Sequence, residues 1–327
     1  MKILITGGSG FIGMNLIEKL NLNSNHTILN MDAFPPKDLK QKKYWKECSI
    51  LDPKQVLDTF QSFKPDALIH LAARTDTDPE NSLKDYEVNT TGSLNIINAI
   101  KECSEIKRAI FTSTQFVNQY HGIPKSDEDF APHTVYGESK VIMEKMIRNA
   151  HLKCPWTIIR PTNIWGPWHI RYPFEFWKVL SKGLYFHPGR KPVIRSYGYV
   201  GNVVSQIISI LEGPKEKIDK QVFYVGDQPI DIYYWVNGFS LKQTGKPAKV
   251  VPRILVKILA LIGDVLSVVK IKFPLTSSRY RSMTNSNTAP MEKTYEAFGI
   301  PPYSLEKGVE ETVAWMKIYH PDLVKAK

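Results

Sequence analysis

Tyr136 and Lys140 carry the clearest chemistry in this chain. They bracket the pentapeptide Tyr-Gly-Glu-Ser-Lys, a spacing that puts both side chains on one face of a helix. A free tyrosine ionises near pH ~10, too high for a base at neutral pH. A neighbouring lysine ammonium favours the phenolate and brings it towards the working range. Alone, the pair reads more readily as an ordinary surface helix pair. It gains weight from its place downstream of a strand ending in Thr112-Ser113-Thr114, whose hydroxyls can orient a reacting group.

An anion site precedes it. Gly7-Gly8-Ser9-Gly10-Phe11-Ile12-Gly13 follows the first strand and opens a helix. Gly7 permits a tight turn, Gly10 lets backbone N–H groups approach a pyrophosphate, and Gly13 lets helix and strand pack closely. The helix start at Phe11 and Ile12 turns its partial positive charge towards the anion. Asp32 closes the second strand, placed to accept from ribose hydroxyls and to repel a 2′-phosphate, which selects NAD over NADP. The plainer alternative is a structural glycine turn with Asp32 as its cap. Gly245-Lys246-Pro247 lacks the Ser/Thr and upstream glycine of a P-loop.

The elements that must position these groups alternate. Strands are expected at Lys2–Thr6, Thr27–Met31, Ala67–His70, Arg108–Thr112 and Thr157–Arg160, with helical spacing at Ile12–Leu20 and Ser93–Ile100. Asp52 and Pro53 make a good cap and first-turn residue for another helix. Apolar strands alternating with helices predict an α/β fold, a Rossmann-type doubly wound parallel sheet covered on both faces. From about Gly166 aromatics, prolines and arginines become dense, before Val203–Leu211 reads as a helix and Val222–Val225 as a strand. The expectation is a cofactor domain over residues 1–167 with a return at 200–227. A smaller interleaved α/β substrate-binding lobe takes 168–199 and 228–327.

Bulk properties exclude several classes. The 327 residues carry a formal net charge of +11 and 43% hydrophobic residues, enough for a packed core and too many for a disordered chain. The lysines are scattered rather than striped, so nucleic acid is not an expected partner, and an anionic small substrate suits the charge. No metal site is expected. Three cysteines in unrelated contexts (Cys48, Cys103, Cys154) and a start that runs straight into a strand predict a cytoplasmic protein with reduced thiols. Ile254–Val269, interrupted by Lys257 and Asp264, falls short of a membrane span. It reads as a packed lobe helix or, with Arg253, Lys257, Lys270 and Lys272 around it, as an amphipathic surface touching a bilayer.

Together these motifs resemble the extended short-chain dehydrogenase/reductase family, in particular its sugar-nucleotide epimerases and dehydratases. The likeness runs through TGGSGFIG, Asp32, HLAAR from His70, VNTTGSLNII from Val88 and the FTST strand end. It continues through YGESK, RPTNIWGP from Arg160, YVGNVV from Tyr199 and FYVGD from Phe223. It implies NAD as cofactor, a nucleotide-sugar substrate, and a homodimer paired through helices that include that of Tyr136. Thr114 falls at the family's third catalytic position, with Ser113 one residue away. Ser49, Ile50, Leu71, Ala72, Ala73 and Thr112 fall along the cofactor cleft, and Lys140 would also hold the nicotinamide ribose. Asn89 matches a position with a structural job. Asn163 matches a substrate-contacting asparagine and Arg195 a pyrophosphate arginine, with Arg279 or Arg281 as a second fork. Trp165, Trp168 and Trp177 suit stacking on a base or sugar, or packing of a lobe core.

Departures from the family narrow the reaction. Dehydratases carry Asp-Glu directly after the catalytic Thr; this chain has Gln115-Phe116, and a phenylalanine transfers no proton. Ser49 stands where an adenine-contacting Asp is usual, Asn118-Gln119 replace Tyr-Gly, and Asn202 replaces an Asp. The expected reaction is therefore C4 epimerisation of a UDP-type sugar through a 4-keto intermediate, with Tyr136 as acid/base. The alternatives are a net dehydrogenase or ketoreductase on a nucleotide sugar or sterol-like alcohol, a membrane-associated epimerase of a lipid-linked sugar, and a non-catalytic NAD-binding protein.

Overall fold

The computed structural model describes residues 1–22, 25–119, 122–169, 172–268, 271, 273 and 275–324. They form two compact units. The first comprises Met1–Ile164, Val200–Asp227 and Ala289–Pro302; the second comprises Trp165–Tyr199, Gln228–Thr288 and Tyr303–Lys327.

The first unit is built on strands β1 (Lys2–Thr6), β2 (Thr27–Asp32), β3 (Trp45–Glu47), β4 (Ala67–His70), β5 (Arg108–Thr112), β6 (Trp156–Pro161) and β7 (Gln221–Val225). They lie in the order β7-β6-β5-β4-β1-β2-β3, every described pairing parallel. Helices α1 (Phe11–Asn21), α2 (Pro53–Phe63), α3 (Ser93–Glu102), α4 (Val135–Asn149) and α5 (Val200–Glu212) connect and cover them. This is the Rossmann-type α/β sheet. Both faces of β1, β4 and β5 are apolar because helices bury both. Leu4, Leu68, Phe111 and Ile158 pack with Phe60, Ile96, Ile100 and Met143 in one core cluster. Asp52 caps α2, accepting from Gln55 N at 3.0 Å, with Pro53 as first residue.

Two features depart from the sequence expectation. Strand β3 has only three residues, two of them charged, as befits an exposed sheet edge. It carries no apolar run by which to read it. Residues 289–302, expected in the second lobe, belong to the first unit. Ala289 and Met291 bury against Tyr224, and Thr294 Oγ1 donates to the Tyr224 carbonyl at 2.6 Å, so this short segment covers the end strand β7.

A buried ion pair locks α4 to the sheet. Glu144 on α4 accepts from Arg160 Nε at 2.9 Å and Nη2 at 2.8 Å, a fork from β6, and from Ser113 Oγ at 2.6 Å just past β5. Both charged side chains are fully buried. Arg160 also donates to Tyr224 Oη at 3.1 Å and to the Asp127 carbonyl at 2.5 Å.

The second unit contains helices Tyr172–Ser181, Ile232–Thr244, Arg253–Val268, Ser277–Thr284 and Leu305–Tyr319. Two short ladders accompany them: Ile194–Arg195 antiparallel to Ile230–Asp231, and Phe186–Pro188 parallel to Lys249–Val251. Val269, at the end of the apolar run read from the sequence, and its neighbours Lys270 and Lys272 lie outside the described residues. No helix among the described residues is long and apolar enough to cross a membrane.

Removing one partner of a buried pair strands the other's charge. Glu144→Ala should therefore cost about 3–5 kcal/mol of stability in urea unfolding, whereas a loss below about 1 kcal/mol would mean the pair does not hold α4.

Candidate active site

Within the first unit, the residues singled out from the sequence gather where strands end and loops begin. The glycine turn follows β1, Asp32 closes β2, Ser49 and Ile50 follow β3, Leu71–Ala73 follow β4, Thr112 closes β5 with Ser113 and Thr114 just past it, and Asn163 follows β6. Strand order reverses between β1 and β4, and ligands of open α/β sheets bind in the crevice at such a reversal.

The glycine turn leaves no room for side chains. Gly7 sits at φ +70°, and a Cβ there would lie 2.6 Å from Ala72 N; one at Gly13 would lie 2.5 Å from Gly8 Cα. Gly10 caps α1 without a side chain, its N–H donating to the Gly7 carbonyl at 3.0 Å. A backbone cradle at a helix N-terminus is what a pyrophosphate needs. Asp32 accepts from Ser9 N and Phe34 N, each at 3.0 Å, which fixes its carboxylate beside the turn. Burial raises its pKa, and the N–H donors of Phe34, Ser9 and Ala33 oppose the rise. Cys48 N donates to the Asp32 carbonyl at 3.1 Å, bringing the 48–51 loop alongside. Ser49 turns inward on its own loop, accepting from Leu51 N at 3.3 Å, and Asn95 holds the Ile50 carbonyl at 2.9 Å. These groups fit a dinucleotide.

Thr6 and His70 tie the crevice walls together. Thr6 Oγ1 lies 2.7 Å from His70 Nδ1 and accepts from Ala72 N at 3.2 Å, while His70 Nε2 lies 3.0 Å from Ser93 Oγ. Burial, assisted by the charge of Lys140, pulls the His70 pKa down to about 3, so its imidazole is neutral.

Lys140 is buried, its Nζ donating to the Thr112 carbonyl at 2.8 Å. Burial lowers its pKa from 10.5 to about 7, against the attraction of Glu144. Its charge is therefore poised near neutrality. Tyr136, one turn earlier, is also buried, with Phe116 edge-on at 6.3 Å and Tyr86 tilted at 6.2 Å. Thr134 caps α4 by accepting from Gly137 N at 3.0 Å. Gly137 is needed because a Cβ would stand 2.3 Å from the Phe116 carbonyl, so α4 begins in contact with the turn after Thr114. Ser113 is committed to Glu144, while Thr114 caps that turn, accepting from Phe116 N at 3.3 Å. Gln115 keeps a buried Nε2 with no hydrogen-bond partner among the described residues.

Asn89 has the structural job that the family resemblance implies, while Ser139 and Glu144 were not read from the sequence. Asn89, in the π turn Val88–Gly92, accepts from Arg74 N and donates to the Arg74 carbonyl and Ser139 Oγ, all at 2.9 Å. Ser139 Oγ in turn donates to the Tyr136 carbonyl at 2.7 Å. This chain fixes the loop after β4 to the α4 turn that holds Tyr136. Glu144, four residues past Lys140 on the same helix face, was the readable trace of the Arg160 network.

In the second unit, Arg195 is buried on its short strand, where Ile194 and Ser196 exchange backbone hydrogen bonds with Asn287. Arg279 and Arg281 are exposed on Ser277–Thr284. Trp165, Trp168 and Trp177 are buried. They pack in an aromatic core, with Trp177–Phe239 centroids 4.0 Å apart and Trp168–Tyr319 at 4.6 Å. Packing thus occupies the tryptophans that also suited stacking on a ligand.

A doubly wound sheet with a glycine cradle at its crevice, an acid closing the second strand, and a buried Tyr/Lys pair beside a threonine define a nucleotide-cofactor oxidoreductase class. Residues 3–226 match the profile of the NAD dependent epimerase/dehydratase family, and the chain belongs to that family. An N-acetyl-α-D-glucosaminyl-diphospho-ditrans,octacis-undecaprenol 4-epimerase of Escherichia coli O157:H7 is 25% identical, over 96% of this chain and 95% of that one. A UDP-glucose 4-epimerase of Vibrio cholerae is 29% identical over 69% of this chain and 70% of its own length. Among solved structures, a UDP-glucose 4-epimerase of Thermotoga maritima with UDP-glucose shares the fold with a TM-score of 0.74, at 22% identity, covering 98% and 99% of the two chains. A UDP-glucuronic acid 4-epimerase of Bacillus cereus in complex with UDP-glucuronic acid and NAD gives a TM-score of 0.74 at 20% identity, covering 98% and 100%.

The buried lysine yields a signed pH dependence. Its folded pKa of about 7 lies below the ordinary lysine value of 10.5, so between them the unfolded chain binds a proton that the folded chain does not. That contribution to stability rises with pH through this window and is absent below it. Lys140→Met should raise the melting temperature of the cofactor-free protein at pH ~6, with the gain shrinking towards pH ~10. A difference between variant and parent that stays constant across this range would contradict a buried, poised Lys140.

Proposed function

We propose that this protein is an NAD-dependent epimerase that inverts C4 of a diphospho-sugar, with a UDP-hexose as the leading substrate. The observation that carries this reading is a complete Tyr136–Lys140–Thr114 set beside a turn whose next residues are Gln115 and Phe116. Expelling water from a sugar needs a proton donor and a base at neighbouring carbons. The Phe116 ring, edge-on to Tyr136, supplies neither. Redox chemistry at C4 needs only one proton shuttled at one oxygen, which Tyr136 can do alone.

In this mechanism Thr114 hydrogen-bonds the C4 hydroxyl, and the Tyr136 phenolate removes its proton. Lys140, poised between charge states, stabilises the phenolate as its ammonium. NAD, held by the Gly7–Gly13 turn and Asp32, would supply a hydride acceptor and donor for the two faces of C4. The Tyr136 phenol then gives its proton back to the oxygen. Asp32 selects NAD through the ribose hydroxyls. Asn163 and Arg195 would hold the sugar and its diphosphate, with Arg279 or Arg281 as a second fork. Three free, buried thiols, Cys48, Cys103 and Cys154, accord with a cytoplasmic setting, and the family resemblance supports a homodimer.

A second reading shares the chemistry and changes the carrier. The Escherichia coli relative acting on an undecaprenol-linked sugar matches over nearly the full length of both chains, the second unit included. That coverage favours a lipid diphosphate as an alternative to the nucleotide.

Replacement of the shuttle tests the mechanism. Tyr136→Phe should lose about 10²–10⁴-fold in turnover while the protein still binds NAD, measured by fluorescence titration. Turnover within a few-fold of the parent would sink the assignment.

A further inference from the structure

The helix Arg253–Val268 of the second unit is packed inside out. Its inward strip holds small or short residues: Val256 and Ala260 are each 1% exposed. At Gly263 a Cβ would strike the Leu275 carbonyl. The returning chain crosses close behind this strip, pinned by Ser277 N donating to Asp264 Oδ1 at 3.0 Å. The large side chains face the other way. Ile254, Leu255, Ile258, Leu261, Ile262 and Val265 are 46–68% exposed and recur over three turns in an uninterrupted apolar arc of roughly 120°. Scattered single exposed leucines are ordinary; a continuous stripe of this kind marks an interaction surface.

Charge around the stripe identifies the partner. Residues 246–288 contain eight Lys/Arg and a single acid, Asp264, whose carboxylate is taken up by Ser277 N. On the helix, Lys257 is exposed at the border of the apolar arc. Arg253 anchors the helix start to the neighbouring ladder, donating to the Pro188 and Lys191 carbonyls at 3.2 and 3.0 Å. Sixteen residues are too few to span a bilayer. A broad apolar face bordered by Lys257, in a stretch of sequence with eight Lys/Arg and one acid, suits lying in the plane of an anionic membrane surface.

We propose that Arg253–Val268 docks this protein onto anionic phospholipid bilayers, apolar stripe down, with its basic surroundings drawing it to the headgroups. Docking goes beyond the epimerase reading and holds whichever carrier bears the sugar. It would place the enzyme where a lipid-linked diphospho-sugar resides.

The test uses the full chain and vesicles of phosphatidylcholine with phosphatidylglycerol, read by flotation. The protein should float with mixed vesicles at low salt, lose at least tenfold in bound fraction on pure phosphatidylcholine, and weaken at high salt. Ile258→Glu with Leu261→Glu should abolish flotation without altering NAD binding or melting temperature. Lys257→Gln should weaken it by about fivefold. Tyr136→Phe should float like the parent, which separates this proposal from the catalytic one. No flotation of the parent on mixed vesicles at low salt overturns it, as does undiminished flotation of the double variant. A dimer in sedimentation velocity that the double variant dissolves, without vesicle binding by the parent, assigns the stripe to a second copy and also overturns it.

Discussion

The fork between Arg160 and Glu144 is the constraint on which the site of the first unit depends. Two full charges are buried where no water can solvate them, a costly arrangement unless geometry and further hydrogen bonds compensate. Here the compensation is complete: two donors from Arg160 and one from Ser113 meet Glu144. Arg160 finds Tyr224 and the Asp127 carbonyl besides. The pair therefore has one acceptable geometry, and that geometry sets α4 against the ends of β5 and β6. Tyr136 and Lys140 lie on α4, and Thr114 follows β5, so their separation is decided by an interaction that touches none of them.

Lys140 shows the same logic turned to chemistry. Its ammonium reaches a backbone carbonyl rather than a carboxylate, and burial brings its pKa down to about 7. A lysine held fully charged by an ion pair would stabilise a tyrosinate strongly but resist taking part in proton movement. In the proposed mechanism a poised lysine would follow the tyrosine's charge as it changes. His70, neutral and fixed between Thr6 and Ser93, adds rigidity to the crevice without adding charge.

Much of this was legible from residues alone, for physical reasons. The six longer strands of the sheet announce themselves because both their faces are buried, which forces apolar runs. The glycine turn is readable because Gly7 and Gly13 have no alternative: any side chain would strike backbone. Edge strand β3 was silent because an edge carries charge instead of a run. Residues 289–302 were silent because a short helix can cover either unit, and contacts such as Met291 and Thr294 against Tyr224 decide it. That Ser113 is taken up by Glu144 was not legible, because the role of Glu144 depends on a partner from another strand. The apolar helix Arg253–Val268 was readable as amphipathic, but spacing alone does not say which face is buried.

The most direct measurement of the central claim follows the label at the inverted carbon. A diphospho-sugar deuterated at C4, a UDP-hexose first, is incubated with the protein and substoichiometric NAD, and the product is read by NMR. The account predicts inversion at C4 with deuterium retained at that carbon and no accumulation of reduced cofactor. Loss of deuterium to solvent, or reduced NAD formed in step with substrate consumed, would contradict it.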